Sequence, residues 1–259
     1  MFVIGVTGGV GSGKSRVLDM LRERYRCRIL KADEAAHEVE APDGLCHEAL
    51  VALLREYERE RTGQRPRAAA GQASHRLPPT QTASNVSTAD APGDACVKAC
   101  VSEPPVFPRW QNPDGSLEPR ALAALLFGDS ALLARVNALV HPAVKRYIVQ
   151  EIAAERERVA LDFFFIEAAL LIENGFSQIV DEMWYIYCER EERIRRLASS
   201  RGYTREKALS IMERQLSEQD FRCACDVTID NSGSEAETMR QIDARLRILR
   251  GLSSVSRKE

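Results

Sequence analysis

A glycine-rich segment near the start of the chain carries the residues best suited to chemistry. It fits the pattern G-x-x-x-x-G-K-[ST], and its members are Gly8, Gly9, Val10, Gly11, Ser12, Gly13, Lys14 and Ser15. Glycines let the backbone turn successive N–H groups inward, which makes a nest for phosphate oxygens. In such a P-loop the lysine neutralises the β- and γ-phosphates and the serine hydroxyl coordinates Mg²⁺. The motif predicts a nucleoside triphosphate site with these eight residues as ligands, Lys14 as a catalytic residue and Ser15 as the metal ligand.

The motif requires a strand before it and a helix after it, and the sequence indicates both. Residues 2–6 form a short apolar, β-branched run, and Val17, Leu18 and Leu21 then recur at helical spacing. A glycine-rich turn without a ligand is the alternative, but the full motif in this context is far more specific than isolated glycines. A GTPase would be expected to carry N-K-x-D for guanine, and the sequence has none.

Further apolar blocks predict the fold. Residues 161–166, 183–188 and 227–229 are short and rich in apolar side chains, which is typical of strands buried on both faces of a parallel sheet. Four to five such strands, separated by helical stretches, predict a doubly wound parallel sheet of the α/β class. A capping box at Ser234 and Glu237 marks the start of the final helix. An apolar stripe for core packing follows it: Met239, Ile242, Leu246 and Leu249.

Composition excludes several kinds of partner. The 36 basic and 38 acidic residues give a formal net charge of −2, so no overall positive field attracts nucleic acid or an anionic membrane. No apolar run reaches the roughly 20 residues that span a bilayer. The seven cysteines are scattered without a C-x-x-C pair, which indicates reduced thiols in a reducing compartment. We therefore expect a soluble, cytoplasmic protein without a nucleic-acid or membrane partner.

One segment, residues 61–108, breaks the pattern of strands and helices. It holds seven of the eleven prolines and a single aromatic residue, Phe107. Such a composition buries too little apolar surface to offset the entropy cost of ordering, so it predicts a disordered insertion. A segment that binds a partner is the alternative.

Beyond the P-loop, the sequence resembles the dephospho-CoA kinase family. Lys31-Ala32-Asp33 stands where that family has Asp-Ala-Asp after its second strand, and His141-Pro142 matches its His-Pro. More matches follow in chain order on both sides of the insertion: Asp114-Gly115-Ser116-Leu117, Leu126-Phe127, Leu170-Leu171-Ile172-Glu173, Gln215, Asp226 and Asn231-Ser232-Gly233. The departures are Lys31 for the first Asp, Ala169 for a proline, and the insertion itself.

The resemblance implies a single P-loop kinase domain over residues 1–259. Within it, an inserted helical substrate-binding region covers about 37–155, including the insertion, and a helical lid covers about 190–222. The implied reaction uses ATP and Mg²⁺ to phosphorylate the ribose 3′-hydroxyl of dephospho-CoA. Another nucleoside or nucleotide kinase remains an alternative, because a fold does not fix the acceptor. So does a nucleotide-binding regulatory protein without transfer activity, and the oligomeric state stays open.

Two residues are implied on the acceptor side of the site. Asp33 would orient or deprotonate the attacking hydroxyl and bind the substrate; otherwise it would be the N-cap of a helix, which is a common role for aspartate. His141 would help to bind the acceptor, or would simply end a helix, because the residue before a proline is disfavoured in α geometry.

Four residues are implied on the nucleotide side. Arg196 and Arg201 lie closest to the family's lid arginines, which close over the phosphates and spread the charge of the transition state. A solvated helix face with ion pairs is the alternative for them. Asn231 and Gly233 would border the adenine of ATP, or would only form a strand-to-helix turn.

Overall fold

Five parallel strands form the sheet. They are β1 (Phe2–Thr7), β2 (Cys27–Lys31), β3 (Phe163–Glu167), β4 (Glu182–Tyr187) and β5 (Val227–Asp230), and they pair in the order β2-β3-β1-β4-β5. This computed structural model describes residues 1–62 and 108–255. The predicted insertion therefore lies almost wholly outside the described residues. The predicted doubly wound α/β fold is confirmed, with β2 as the strand that the apolar blocks did not delimit.

Helices cover both faces of this sheet and extend beyond its edge. They are α1 (Lys14–Arg24), α2 (Ala32–Glu40), α3 (His47–Thr62), α4 (Pro119–Phe127), α5 (Ser130–Arg158), α6 (Arg190–Arg201), α7 (Arg205–Met212), α8 (Glu218–Ala224) and α9 (Glu235–Val255). A 3₁₀ turn lies at Phe176–Gln178. Within residues 1–62 and 108–255, no helix combines the length and the apolarity needed to cross a membrane.

The core is divided between the two faces of the sheet. In β3, Phe163 and Phe165 pack on one face with α1 and α9, whereas Phe164 and Ile166 pack on the other with α2, α3 and α5. Successive side chains of a strand point to opposite faces, so a strand covered on both sides must be apolar throughout. The dense apolar block at 161–166 has this physical origin.

Helix caps agree with the sequence prediction at α9. The Ser234 backbone N–H donates to Glu237 Oε2 at 2.9 Å, and the Glu237 N–H donates back to Ser234 Oγ at 3.3 Å. The apolar stripe that follows is buried, as predicted. Asp129 starts α5 in a similar way, because its carboxylate accepts hydrogen bonds from the N–H groups of Ala131 and Leu132.

The long helix α5 continues through a proline. Pro142 lies inside Ser130–Arg158, so the alternative that His141 simply ends a helix is wrong. Both residues are exposed, as is Ala138 one turn earlier. The carbonyl that loses its partner at a proline can therefore bind water. Packing of buried side chains on the opposite side of α5 keeps the helix intact.

Candidate functional site

The carboxyl ends of the central strands meet at one edge of the sheet. Val6 of β1 is in register with Glu167 of β3, and Glu167 is in register with Lys31 of β2. The P-loop leaves β1 at this edge and α2 leaves β2 beside it. Ligands of open α/β sheets bind outside the carboxyl ends of the strands, so this edge is where a nucleotide and an acceptor would meet.

The P-loop adopts a conformation that needs glycine. Gly11 and Gly13 have φ values of 77° and 86°, in the left-handed region. A Cβ at position 13 would collide with the side-chain amide of Asn231, and one at position 9 would collide with the guanidinium of Arg193. The loop is therefore enclosed by side chains from distant parts of the chain.

The start of α1 is open to an anion. Gly13 is its N-cap and provides no side-chain cap, and the first turn contains no acidic residue. The N–H groups of the first turn have no partners within a helix, and the helix dipole makes this end positive. The Ser12 hydroxyl is also buried without a hydrogen-bond partner among the described residues. These features fit a bound triphosphate, which supplies the missing acceptors.

Lys14 lies folded over the loop. Its Nζ donates a hydrogen bond to the Gly8 carbonyl at 2.6 Å. Burial lowers the pKa of Lys14, and the nearby positive charges of Arg193 and Arg201 act in the same direction, whereas Glu167 opposes them. A partly buried ammonium with further cations nearby is a group that an anionic ligand would stabilise.

Arg193 of α6 reaches the same loop from the lid side. Its Nε donates to the Val10 carbonyl at 2.8 Å, and its Nη2 donates to Gln215 Oε1 at 3.2 Å. Gln215 Oε1 also accepts a hydrogen bond from the Val10 N–H at 2.9 Å. Burial lowers the pKa of Arg193. Arg193 is partly buried and forms no ion pair in residues 1–62 or 108–255, although charges taken out of water are normally paired.

The two arginines selected from the sequence occupy different positions. Arg196 pairs with Glu192 at 2.7 Å and donates to the backbone carbonyl of Asn231 at 2.8 Å. It therefore stabilises Asn231, which in turn contacts the P-loop. Arg201 is the exposed last residue of α6, and its charge acts on Lys14. Contact of either guanidinium with phosphate stays a prediction.

Asn231 stabilises the P-loop through its side chain. It is buried, its Nδ2 donates to the Ser12 carbonyl at 2.8 Å, and its Oδ1 accepts from the Thr238 hydroxyl at 3.0 Å. Gly233 lies in the turn before α9, where a Cβ would collide with the Glu237 carboxylate. Both residues thus have structural roles of their own, and their contact with adenine stays a prediction.

A pocket of about 310 Å³ opens beside the loop between α2, α5 and the segment after β3. Asp33 and His141, the two residues predicted on the acceptor side, both line it. The N-cap of α2 is Lys31, so Asp33 in its first turn is not the cap and that alternative is wrong. The other lining residues are Ala32, Ala36, Glu40, Leu126, Val136, Asn137, Val140, Val144, Ala168, Ala169, Leu170, Asn174 and Phe176.

Glu167 links the pocket to the P-loop. Burial raises the pKa of this carboxyl group; the charges of Lys14 and Lys31 lower it, and that of Asp33 raises it. Glu167 therefore lies within electrostatic reach of both the loop lysine and the pocket carboxylate. The sequence analysis did not select it. A charged residue directly after the apolar run Phe163–Ile166, on the strand beside β1, was the signal that could have identified it.

Lys31, the departure from the family pattern, also belongs to this sheet edge. Its Nζ lies 3.1 Å from Glu34 Oε1, and its charge acts on Glu167. It therefore adds a positive charge between two carboxylates at the mouth of the site.

Comparison with known proteins assigns the chain to a family. The sequence profile of dephospho-CoA kinase matches residues 2–85 and 104–237. A dephospho-CoA kinase from Geobacter sulfurreducens is 28% identical over 243 residues, covering 94% of this chain and 96% of that one. One from Cupriavidus pinatubonensis is 27% identical over 255 residues, covering 98% and 97%. A crystal structure of a Thermus thermophilus protein matches with a TM-score of 0.57 at 26% identity, over 96% of this chain and 97% of that chain. This chain belongs to the dephospho-CoA kinase family.

Proposed function

We propose that this protein transfers the γ-phosphoryl group of ATP to the ribose 3′-hydroxyl of dephospho-CoA, giving CoA and ADP. Its family membership supports the reaction and the acceptor. The observation that carries the proposal is the position of Glu167, which is in register with Val6 before the P-loop and with Lys31 before Asp33, so that the charges of Lys14 and Asp33 both act on its carboxyl group. A phosphate donor and a hydroxyl acceptor bound at these two residues would meet at one point.

The residues around the P-loop fit ATP and Mg²⁺. The open start of α1 and the buried, cation-rich surroundings of Lys14 suit the β- and γ-phosphates. The exposed hydroxyl of Ser15, on the first turn of α1, would hold the metal, with Glu167 as a nearby carboxylate. Bound Mg²⁺ supplies charge neutralisation at the β- and γ-phosphate oxygens. We expect chelation of divalent cations to stop turnover and added Mg²⁺ to restore it.

In the transfer step, the oxygen of the 3′-hydroxyl would bond to the γ-phosphorus while Asp33 accepts the proton of that hydroxyl. The bond from that phosphorus to the β,γ-bridging oxygen breaks, and ADP leaves. Lys14, Arg193 and Arg201 would offset the negative charge that is shared among the phosphate oxygens. His141 would help to hold the acceptor in the pocket. Phosphoryl transfer requires mainly such positioning and charge neutralisation.

The helices on the two sides of the P-loop would have separate roles in the reaction. Helices α2 to α5 would form the acceptor side within a single kinase domain, and α6 to α8 would form the lid. Val10 of the P-loop packs against the small apolar cluster of the lid, which includes Ile194, Leu197 and Ala208, so movement of the lid would be coupled to the loop. We propose that the protein acts in the cytoplasm.

A coupled assay of ADP release with dephospho-CoA, AMP and CMP tests the function. We expect ADP release with dephospho-CoA, accompanied by CoA identified by chromatography. Release with AMP or CMP instead would indicate a nucleotide kinase. Binding of ATP without ADP release for any of the three acceptors would indicate a regulatory protein.

A further inference from the structure

The acceptor pocket has a charge pattern that restricts which part of an acceptor can enter it. Among the described residues, its lining includes the carboxyl groups of Asp33 and Glu40 and no Lys or Arg. A diphosphate would be repelled there, because this lining offers two carboxyl groups and no Lys or Arg to compensate its charge. Apolar side chains and the amide of Asn137 make up much of the remaining wall, which suits a flat heterocyclic base with polar edges.

The volume of the pocket also favours the base as the part of the acceptor that enters it. The cavity of about 310 Å³ lies at the lower end of small-molecule sites, roughly 300 to 1,000 Å³. That volume accommodates a nucleoside, whereas a whole dinucleotide-sized acceptor would extend out of it. With the ribose hydroxyl at Asp33, the base would therefore point into the pocket and the diphosphate would point to solvent.

Glu40 lines the same pocket as Asp33, and both residues lie on the same face of α2. The two residues are seven positions apart, which corresponds to a rise of about 10 Å along a helix. This span is of the same order as the distance across adenosine from the 3′-oxygen to the exocyclic amine. The Glu40 carboxylate would therefore lie within hydrogen-bonding reach of the exocyclic amine of a purine whose ribose is bound at Asp33.

The carboxylate of Glu40 is unpaired within the part of the chain that the structure describes. In the described ranges it makes no hydrogen bond and no ion pair through its side chain, yet it is half-buried. Burial raises its pKa, and the charge of His37 opposes that shift. Glu40 also lies in the last turn of α2, where a negative charge is unfavourable to the helix dipole. Packing therefore gives no reason for an acid at this position.

The backbone of Glu40 is nevertheless firmly held. The His47 ring hydrogen-bonds to the Glu40 carbonyl at 2.8 Å, and the Cys46 N–H donates to the Val39 carbonyl at 3.0 Å. These contacts fix the end of α2, so the carboxylate does not sit on a frayed terminus. A rigid, partly desolvated acceptor is suited to selecting a ligand by hydrogen bonding.

We infer that Glu40 accepts a hydrogen bond from the exocyclic amine of the acceptor's base and thereby selects a 6-aminopurine over a 6-oxopurine. This inference rests on the proposed function, because it assumes that the acceptor hydroxyl lies at Asp33. A 6-oxo group would place its oxygen against the carboxylate and leave both acceptors unsatisfied.

The test compares dephospho-CoA with its deaminated analogue, in which hypoxanthine replaces adenine. Both calorimetric affinity and kcat/KM are measured for the wild-type protein, for Glu40→Gln and for Glu38→Gln as a matched control on the exposed side of α2. We expect the wild type to favour the amino acceptor by roughly 10- to 100-fold, the range for a hydrogen bond to a charged group. Glu40→Gln should lower that preference by about tenfold or more, because a rotated amide can donate to the oxo group, and Glu38→Gln should keep it.

Stability separates this role from a structural one. Glu40→Gln should leave the denaturation midpoint unchanged or raise it, since it removes an unpaired charge from a helix end. Equal preference ratios in Glu40→Gln and the wild type, or no preference in the wild type, would overturn the inference. A wild type that binds dephospho-CoA but does not phosphorylate it would overturn the proposed function instead, and the ratio of affinities would still decide the role of Glu40.

Discussion

Replacing Asn231 by Ala should loosen the P-loop without touching its sequence. The side chain is 4% exposed and makes two hydrogen bonds, to the Ser12 carbonyl at 2.8 Å and from the Thr238 hydroxyl at 3.0 Å. Removing it leaves the Ser12 carbonyl with Arg196 Nη1 at 3.4 Å. The support of the loop from β5 would then be largely lost.

The size of the effect follows from these contacts. A buried hydrogen bond contributes about 1 kcal/mol net, and a buried group left without a partner costs about 1 to 3 kcal/mol. The Thr238 hydroxyl retains two other acceptors, the carbonyls of Asp230 and Ser234, each at 3.3 Å, so most of the loss arises at Ser12. We expect Asn231→Ala to lower the free energy of unfolding by about 1 to 3 kcal/mol.

Function should change in a way that distinguishes support of the loop from contact with the base. A loosened loop must be ordered when a triphosphate binds, so KM should rise for ATP and GTP alike, by roughly three- to tenfold if about 1 kcal/mol is spent on ordering. Direct contact with adenine would instead raise KM for ATP alone. The assays are urea unfolding without nucleotide and steady-state kinetics with both nucleotides.

Thr238→Val provides the matched control, because it removes one of the two bonds of Asn231 and leaves the bond to Ser12 in place. We expect it to cost about 1 to 3 kcal/mol as well, because the buried Asn231 Oδ1 loses its donor, but to leave the KM for ATP and for GTP near the wild-type values. An unfolding free energy for Asn231→Ala within about 0.5 kcal/mol of the wild type, the usual effect of a surface substitution, would refute the structural role. In that case a selective rise in KM for ATP would establish the adenine contact.

Three further substitutions test the chemistry of the site. Lys14→Ala should reduce turnover by roughly 10²- to 10³-fold or more, because the loop loses its cation at the β- and γ-phosphates; near-normal turnover would exclude this role. Asp33→Asn should reduce turnover by roughly 10²- to 10⁴-fold with little change in ATP affinity, as expected for a general base, whereas lost stability with turnover intact per folded molecule would make it a structural residue. Arg193→Gln should reduce kcat/KM for ATP by roughly 10- to 100-fold, while Arg195→Gln, an exposed arginine paired with Glu192, should not, and equal effects would contradict a specific contact of Arg193 with the triphosphate.

Local sequence determined the features of this protein that depend on neighbouring residues. The P-loop needs glycine at Gly11 and Gly13, where φ is positive, and the motif at 8–15 contains this requirement. The capping box at Ser234 and Glu237 likewise depends on groups three residues apart. Backbone conformation and helix capping are short-range effects, so they can be predicted before any tertiary contact is known.

The strands could be predicted for a related reason, with one exception. Strands covered on both faces must be apolar, which marks β1, β3 and β4 in the sequence, and the short apolar run at 227–229 marks the edge strand β5. The exception is β2, whose sequence includes Arg28 and Lys31. It lies at the edge of the sheet, where polar side chains reach solvent, so its composition does not identify it.

Only the tertiary structure decided how the site is assembled. Asn231 binds Ser12, which is 219 positions away in the sequence, and Arg193 binds Val10, which is 183 positions away. The spacing of residues in the sequence does not predict contacts over such separations. Glu167 gains its position between Lys14 and Asp33 from the parallel register of three strands. Packing also overrode a local rule at His141, where α5 continues through the following proline. Long-range pairing and burial bring these charges together, and both arise from the folded chain as a whole rather than from any one segment of it.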